Sequence, residues 1–203
     1  MRIKNKIISI LVLTLLIVKG FISIGQEKVD TYSMSALSDF DVEQFDIRID
    51  NDNNLWIDAF STYQPETRCG ITIDERYKPN FITTFENARD LYTEWKRMAM
   101  ESNLQDIKQK MHFMFFTGGY FTYFDELKKD DDVKLIFAFT WFNGDYVLIM
   151  NLEEMTAADN DLIRFNGASL IFNSEEEINS FLDKISPHYI NNFRASKAED
   201  SDN

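Results

Sequence analysis

The chain has 203 residues, enough for one domain with a full-sized core, and its eighteen Phe residues favour a folded core over intrinsic disorder. Its formal net charge of −13 repels nucleic acid and anionic lipid head groups, so we expect neither as a partner. The single cysteine, Cys69, excludes an intramolecular disulfide framework.

The first 25 residues have the pattern of a secretory leader. A positively charged stretch at residues 1–6 precedes a hydrophobic run at residues 7–18 that contains no charged residue. An uncleaved membrane anchor is the alternative, but this twelve-residue stretch, which ends before Lys19, is too short for a bilayer core of about 30 Å. We expect cleavage after Gly25, which leaves no integral membrane segment. It also removes four positive and no negative charges, changing the net charge from −13 to −17.

Export predicts a bacterial periplasmic, cell-surface or secreted location, because an exported domain without disulfides is more typical of bacteria than of a eukaryotic secretory route.

Residues 26–43 are polar and irregular and predict an extended lead-in. Three strands follow at residues 45–49, 55–59 and 69–74, where apolar and polar residues alternate.

A helix is predicted over residues 84–101. Thr83 and Glu86 have the spacing of a capping box, and apolar residues then recur at helical spacing. The next strand covers residues 108–116. Gly118 and Gly119 predict a turn or a bulge before a short return strand, and residues 126–132 predict a charged loop.

Residues 134–152 predict a tight hairpin at the centre of the fold. Asn143-Gly144 suits the positive φ angles of a type I′ turn. A two-residue loop fixes the register, so that one face carries four large cross-strand pairs and should lie against the core. These pairs are Trp141 with Tyr146, Phe139 with Leu148, Phe137 with Met150, and Leu135 with Leu152.

The C-terminal part predicts a polar, partly irregular stretch at 153–166, a last strand at 168–172 and a helix at 175–186. Ser174 opens that helix with a second capping box, Pro187 ends it, and the polar residues 195–203 should be disordered. Short connections between strands require antiparallel neighbours. The expected fold is therefore a single α+β domain over residues 44–194, a mostly antiparallel sheet with both helices on one face.

Catalytic and metal motifs are absent from the sequence. Cys69 alternates with Ile71 and Ile73 and is typical of a buried apolar position, although proximity to a distant histidine in the fold would allow a catalytic thiol. Residues 50–54 resemble the start of a calcium loop but lack its glycine and closing glutamate. Residues 130–132 are predicted to be a solvated loop that binds an ion weakly at most. We therefore expect no metal site and no cofactor.

Aromatic residues give the remaining signal. Trp56 is expected on the solvent face of its strand, opposite Leu55 and Ile57, while Trp141 and Tyr146 lie at the end of the central hairpin. An aromatic core explains most such residues, but these three are the candidate binding residues, as a platform for a sugar ring or a partner's apolar surface.

Two functional classes follow. The first is a non-enzymatic exported module that binds a protein or glycan partner through an aromatic sheet face or edge loops. The second is a small hydrolase whose carboxylates meet only in the folded chain. The missing nucleophile and metal motifs favour the first class. A carboxylate pair in a cleft, one with a raised pKa, would favour the second.

Overall fold

The computed structural model describes residues 25–40 and 44–201. The predicted leader, residues 1–25, lies outside these ranges except for Gly25. Within them the chain forms ten strands and three α-helices, in the order β1 Gln26–Ser33, β2 Gln44–Asp50, β3 Leu55–Ala59, β4 Cys69–Ile73, α1 Lys78–Glu101, β5 Lys108–Tyr123, β6 Glu126–Phe142, β7 Asp145–Leu152, β8 Met155–Ala157, β9 Asn160–Phe165, β10 Ala168–Phe172, α2 Glu175–Lys184 and α3 Pro187–Ser201. Short 3-10 helices occupy Ser35–Phe40 and Glu75–Tyr77.

The described strands form one eight-stranded sheet of order β1-β2-β3-β4-β5-β6-β7-β10 and a separate β8–β9 hairpin. Every pairing is antiparallel. The mostly antiparallel α+β fold is therefore confirmed, because neighbouring strands are mostly consecutive in the chain and short connections reverse its direction.

The sheet curls until its distant strands meet. Phe60, just after β3, exchanges two backbone hydrogen bonds of 2.8 and 3.0 Å with Ser169 on β10. The Sδ atom of Met34 accepts from the backbone N–H of Ile171 at 3.0 Å. Some backbone groups at the free edge of β10 thus find hydrogen-bond partners in the segment after β1 and at the end of β3.

Aromatic rings join the helices to the inner side of this curl. Phe85 on α1 contacts Phe137 and Phe172 at centroid distances of 5.5 and 5.6 Å. Phe181 on α2 contacts Phe172 at 5.3 Å and Tyr32 on β1 at 5.0 Å. The sheet residues in these contacts face the same side as Ile47, Ile57 and Ile71, whose side chains are also buried.

The central hairpin has the predicted register, from Trp141 opposite Tyr146 to Leu135 opposite Leu152. Asn143 and Gly144 have φ angles of 51° and 88°, as a type I′ turn requires.

Helix α1 starts six residues earlier than predicted, at Lys78, because Pro79 suits the first turn of a helix and the Thr83 capping box lies inside it. Ser174 is the predicted N-cap of α2, since its Oγ accepts from Glu177 N at 3.1 Å. The box is not closed on Ser174, because the Glu177 carboxylate accepts from the backbone N–H of Asn173 instead.

The prediction of a charged loop at residues 126–132 is wrong. This stretch is the first part of β6, where Glu126 to Lys129 pair with Tyr123 to Tyr120. Pairing with a neighbouring strand supplies the backbone hydrogen bonds even where the residues lack β propensity. Residues 160–165 likewise form a strand within the stretch predicted to be irregular.

Both ends of the described chain are more ordered than predicted. The lead-in forms β1, an edge strand paired with β2. The helix α3 runs through residues 195–201, where a disordered tail was predicted, and Pro187 begins this helix instead of only ending the previous one. Tyr189 Oη donates to the carboxylate of Asp30 on β1, so the two ends stabilise each other.

Candidate functional site

A groove of about 580 Å³ lies on the outer side of the sheet, over β3, β4 and β5. Its floor is a cross-strand row, in which Trp56 pairs with Thr72 and Thr72 pairs with Gly118. A side chain at Gly118 would collide with Thr72 Oγ1. The strand alternation that buries Leu55 and Ile57 in the core therefore places Trp56 in this groove, on the opposite face.

Trp56 lies on the predicted face but is only 3% exposed. Its Nε1–H donates to Asp50 at 3.0 Å, and its ring contacts Tyr120 at a centroid distance of 4.9 Å. The Lys129 ammonium lies 5.0 Å from its ring centroid. Trp56 is thus the base of the groove and not an exposed platform.

Trp141 and Tyr146 lie elsewhere. The Tyr146 ring packs against Phe139 and Trp141 at 5.6 and 4.7 Å, and its hydroxyl donates to the backbone O of Leu104 at 2.5 Å. Tyr146 is buried and Trp141 is half-buried against the core. The fold does not bring these two rings to Trp56, and a role for them in binding stays a prediction.

Four carboxylates line the groove, from Asp50, Asp74, Asp131 and Asp132, beside the ammonium of Lys129. Burial by itself raises the pKa of Asp50, but hydrogen bonds from Trp56 and Asn54 outweigh it and the net shift is downward. Hydrogen bonds from the side chain and backbone of Arg76 lower the pKa of Asp74 to about 2. Both carboxylates stay ionised at neutral pH.

A β-bulge presents the other two carboxylates. Thr117 pairs with Val133 and Gly119 with Asp130, so one β5 residue lies opposite both Asp131 and Asp132 on β6. Both aspartates are exposed. The sequence run Asp130 to Asp132 signalled this acidic cluster, but nothing local showed that it would border a groove.

Two exposed aromatic residues complete the walls and were missed as site residues. Tyr77 is 50% exposed and Phe116 is 53% exposed. Phe116 could have been found by alternation, since Phe113 and Phe115 take the core face of β5 and Phe116 must face the other way. Tyr77 gave no such signal, because it lies in a 3-10 turn.

Arg48 and Asp58 form a largely buried ion pair next to the groove. Arg48 is 4% exposed, and its guanidinium donates to both carboxylate oxygens of Asp58 and to Tyr120 Oη. Burial lowers the pKa of Arg48, but the hydrogen bond with Asp58 and nearby negative charge raise it further, so this side chain is charged. The pair holds Tyr120, which in turn packs against Trp56.

Hydrogen bonding and burial shift the pKa values of several acidic groups. In the described part of the chain, the carboxyl groups with a shifted pKa are Asp30, Asp50 and Asp74, and all three shift downward. Burial raises the pKa of the Cys69 thiol to about 12. No group of three or more His, Cys, Asp or Glu residues within 25–40 and 44–201 is arranged to hold a metal ion.

No protein-family model, curated protein or solved structure matches this chain. Among the described residues, no helix is both long enough and apolar enough to cross a bilayer. The groove itself is therefore the basis for a functional proposal.

Proposed function

We propose that this chain is an exported, non-enzymatic binding module that takes up part of a protein or glycan partner in the groove above Trp56. The observation that carries the proposal is the combination of a cavity of about 580 Å³ with exposed aromatic walls, Tyr77 and Phe116, and four carboxylates. Ligand sites typically join apolar contact area with a few polar groups that fix orientation.

Binding is favoured over carboxylate-dependent hydrolysis by the ionisation of the groove. A hydrolytic carboxylate pair needs one acid that keeps its proton near neutral pH, through a raised pKa. The two groove carboxyl groups with shifted pKa values, Asp50 and Asp74, move the other way. They stay ionised and hold the Trp56 and Arg76 side chains in place.

We also infer that α1 and α2 share the face of the sheet opposite the groove. Phe85 and Phe181 contact Phe172, which lies on the core face of its strand. The groove residues Trp56 and Thr72 alternate with the core residues Ile57 and Ile71 and so face away from the helices. This arrangement leaves a rigid sheet surface open to a partner.

Export and partner class follow from the same sequence features as before. The leader pattern of residues 1–25 supports a bacterial periplasmic, cell-surface or secreted location. The net charge of −13 disfavours nucleic acid and anionic membranes, which leaves proteins and glycans as partners.

The test is the thermal unfolding of the full chain against a panel of glycans and short peptides, with product analysis for every glycan that binds. We expect at least one probe to raise the midpoint in a concentration-dependent way. Phe116→Ser should remove most of this shift, because it deletes an exposed groove wall. Phe124→Ser is the matched control, since Phe124 is exposed and lies outside the groove.

A probe shift that survives in Phe116→Ser would locate binding elsewhere and overturn the proposal, as would the absence of any shift across the panel. Cleavage of a bound glycan would instead establish the hydrolase.

A further inference from the structure

An exposed apolar strip leads into the groove along β5. Met114 and Phe116 are 56% and 53% exposed and lie two residues apart on the outer face of the strand. Met114 pairs across the sheet with Ile136, which is half-buried. Exposed Met and aromatic side chains on one strand face are typical of protein-binding surfaces.

Unpaired carboxylates border the same strip. Asp50 and Asp74 already accept hydrogen bonds from Trp56 and Arg76. Within the described ranges, by contrast, the carboxylates of Asp131 and Asp132 accept no hydrogen bond and form no ion pair. Two carboxylates that line the same groove as Phe116 are therefore left for a ligand to neutralise.

The groove already pairs aromatic rings with cations from its own chain. The Lys129 ammonium lies 5.0 Å from the Trp56 ring centroid, and the Arg76 guanidinium lies 5.4 Å from that of Tyr77. A carboxylate also accepts a hydrogen bond from one member of each pair. Asp50 accepts from the Trp56 indole N–H, and Asp74 accepts from the Arg76 guanidinium. Among the described cations, none is recorded over the third ring, Phe116.

We propose that the groove and the strip together bind a short basic, amphipathic peptide segment of a partner protein. A Lys or Arg side chain of that segment lies over Phe116 and pairs with Asp131 and Asp132, and an apolar side chain packs on Met114. This inference rests on the proposed function and names its partner class.

Charge and shape favour a peptide over a glycan. A neutral sugar would leave the two carboxylates without a counter-charge and would match the flexible Met114 side chain poorly. In an extended peptide, side chains on one face are two residues apart, and Met114 and Phe116 have the same spacing along β5. Complementary charge also speeds encounter with a basic segment.

The experiment measures binding of three fluorescently labelled ten-residue peptides to the full chain by anisotropy. The Lys–Leu peptide repeats Lys-Ser-Leu-Ser, so that Lys and Leu lie two residues apart on one face. The Lys–Ser peptide repeats Lys-Ser-Ser-Ser, and the Glu–Leu peptide repeats Glu-Ser-Leu-Ser. We expect the Lys–Leu peptide to bind at least about tenfold more tightly than the Lys–Ser peptide, and the Glu–Leu peptide not to bind. Raising the salt from 0.05 to 0.5 M should weaken Lys–Leu binding about tenfold or more.

Matched variants distinguish binding in the groove from non-specific attraction of a basic peptide to an acidic protein. Asp131→Asn with Asp132→Asn, and separately Met114→Ser, should each weaken Lys–Leu binding about tenfold. Glu66→Gln with Asp161→Asn removes the same charge from exposed positions outside the groove and should leave it within twofold.

Equal weakening in both charge variants would show non-specific attraction and overturn the inference, and so would equal affinity for the Lys–Leu and Lys–Ser peptides. A glycan that binds in a Phe116-dependent way, while no peptide does, would overturn the peptide inference and keep the proposed function. Failure of every glycan and peptide would overturn both.

Discussion

Tyr120 reaches the carboxylate of Asp58 two strands away because the residue between them is Gly70. Gly70 pairs with Asp58 on one side and with Tyr120 on the other, and the Tyr120 hydroxyl donates to Asp58. A Cβ atom on Gly70 would lie 2.5 Å from Tyr120 Oη and would also collide with the backbone O of Ile57. The position of Tyr120, which packs against Trp56 at the base of the groove, therefore requires that residue 70 has no side chain.

Gly70→Ala should lower the free energy of unfolding by about 1–3 kcal/mol, since the added methyl displaces the Tyr120 ring or the neighbouring backbone. Urea denaturation checks this. In a Tyr120→Leu background the same substitution should cost less, because one of the two collisions is gone. An unchanged urea midpoint in Gly70→Ala would contradict the close packing of this row.

Arg48→Met should destabilise the fold by about 3–5 kcal/mol, because it removes the partner of the largely buried Asp58 carboxylate. The double variant Arg48→Met with Asp58→Leu should recover part of that loss, since the charges that then lose a partner, on Arg68 and Asp46, are much more exposed than Asp58. Chemical denaturation of both variants and of Asp58→Leu gives the coupling energy. Additive effects would show that the ion pair makes no net contribution.

Asp50 should make stability depend on pH in the acid range. Its pKa in the fold lies below the ordinary value of 3.8, so the ionised form stabilises the protein fully above about pH 4. That contribution is lost as the pH falls through the lowered pKa. The difference in urea midpoint between wild type and Asp50→Asn should therefore be largest at pH 7 and shrink by pH 2.

Asp161→Asn serves as the control for this pH series, since Asp161 is exposed and outside the groove. If the difference in urea midpoint between wild type and Asp50→Asn is the same at pH 7 and pH 2, the charge of Asp50 does not contribute to stability.

Cys69 should be unreactive in the folded protein. Burial, with a smaller effect from the charge of Asp58, raises the pKa of its thiol to about 12, and its Sγ lies 3.2 Å from the Ala59 carbonyl O. Iodoacetamide at pH 8 should label it only after unfolding in guanidinium, as read by mass spectrometry, because the thiolate is the reactive form. Labelling of the folded chain at the unfolded rate would contradict its buried position.

Local sequence patterns were sufficient for the elements whose signals are short-range. The Asn143-Gly144 turn fixed the pairing of Trp141 with Tyr146, because a two-residue loop leaves one register. The strands β2, β3 and β4 followed from alternation. Helix α1 was found from its apolar spacing, whereas its first residue was not, since Pro79 and the capping box gave competing start signals.

The groove could be predicted only in part. Alternation gave the face of Trp56, but not that Lys129 and Tyr120 cover its ring. Lys129 belongs to the stretch predicted to be a loop, and its position follows from the β5–β6 pairing. That pairing joins residues without a hydrophobic pattern, so it is decided by the neighbouring strand and not by local propensity.

The sequence by itself determined the antiparallel α+β class, the central hairpin and the apolar face of each strong element, because periodicity and turn chemistry act over a few residues. Tertiary structure alone decided how far the sheet curls, as the Phe60–Ser169 bridge shows, and which outer-face side chains share a groove. Asp50, Phe116 and Asp131 are distant in sequence, and only the order of strands brings them together. The physical reason is that long-range pairing depends on the packing of the whole chain and leaves little trace in any one segment.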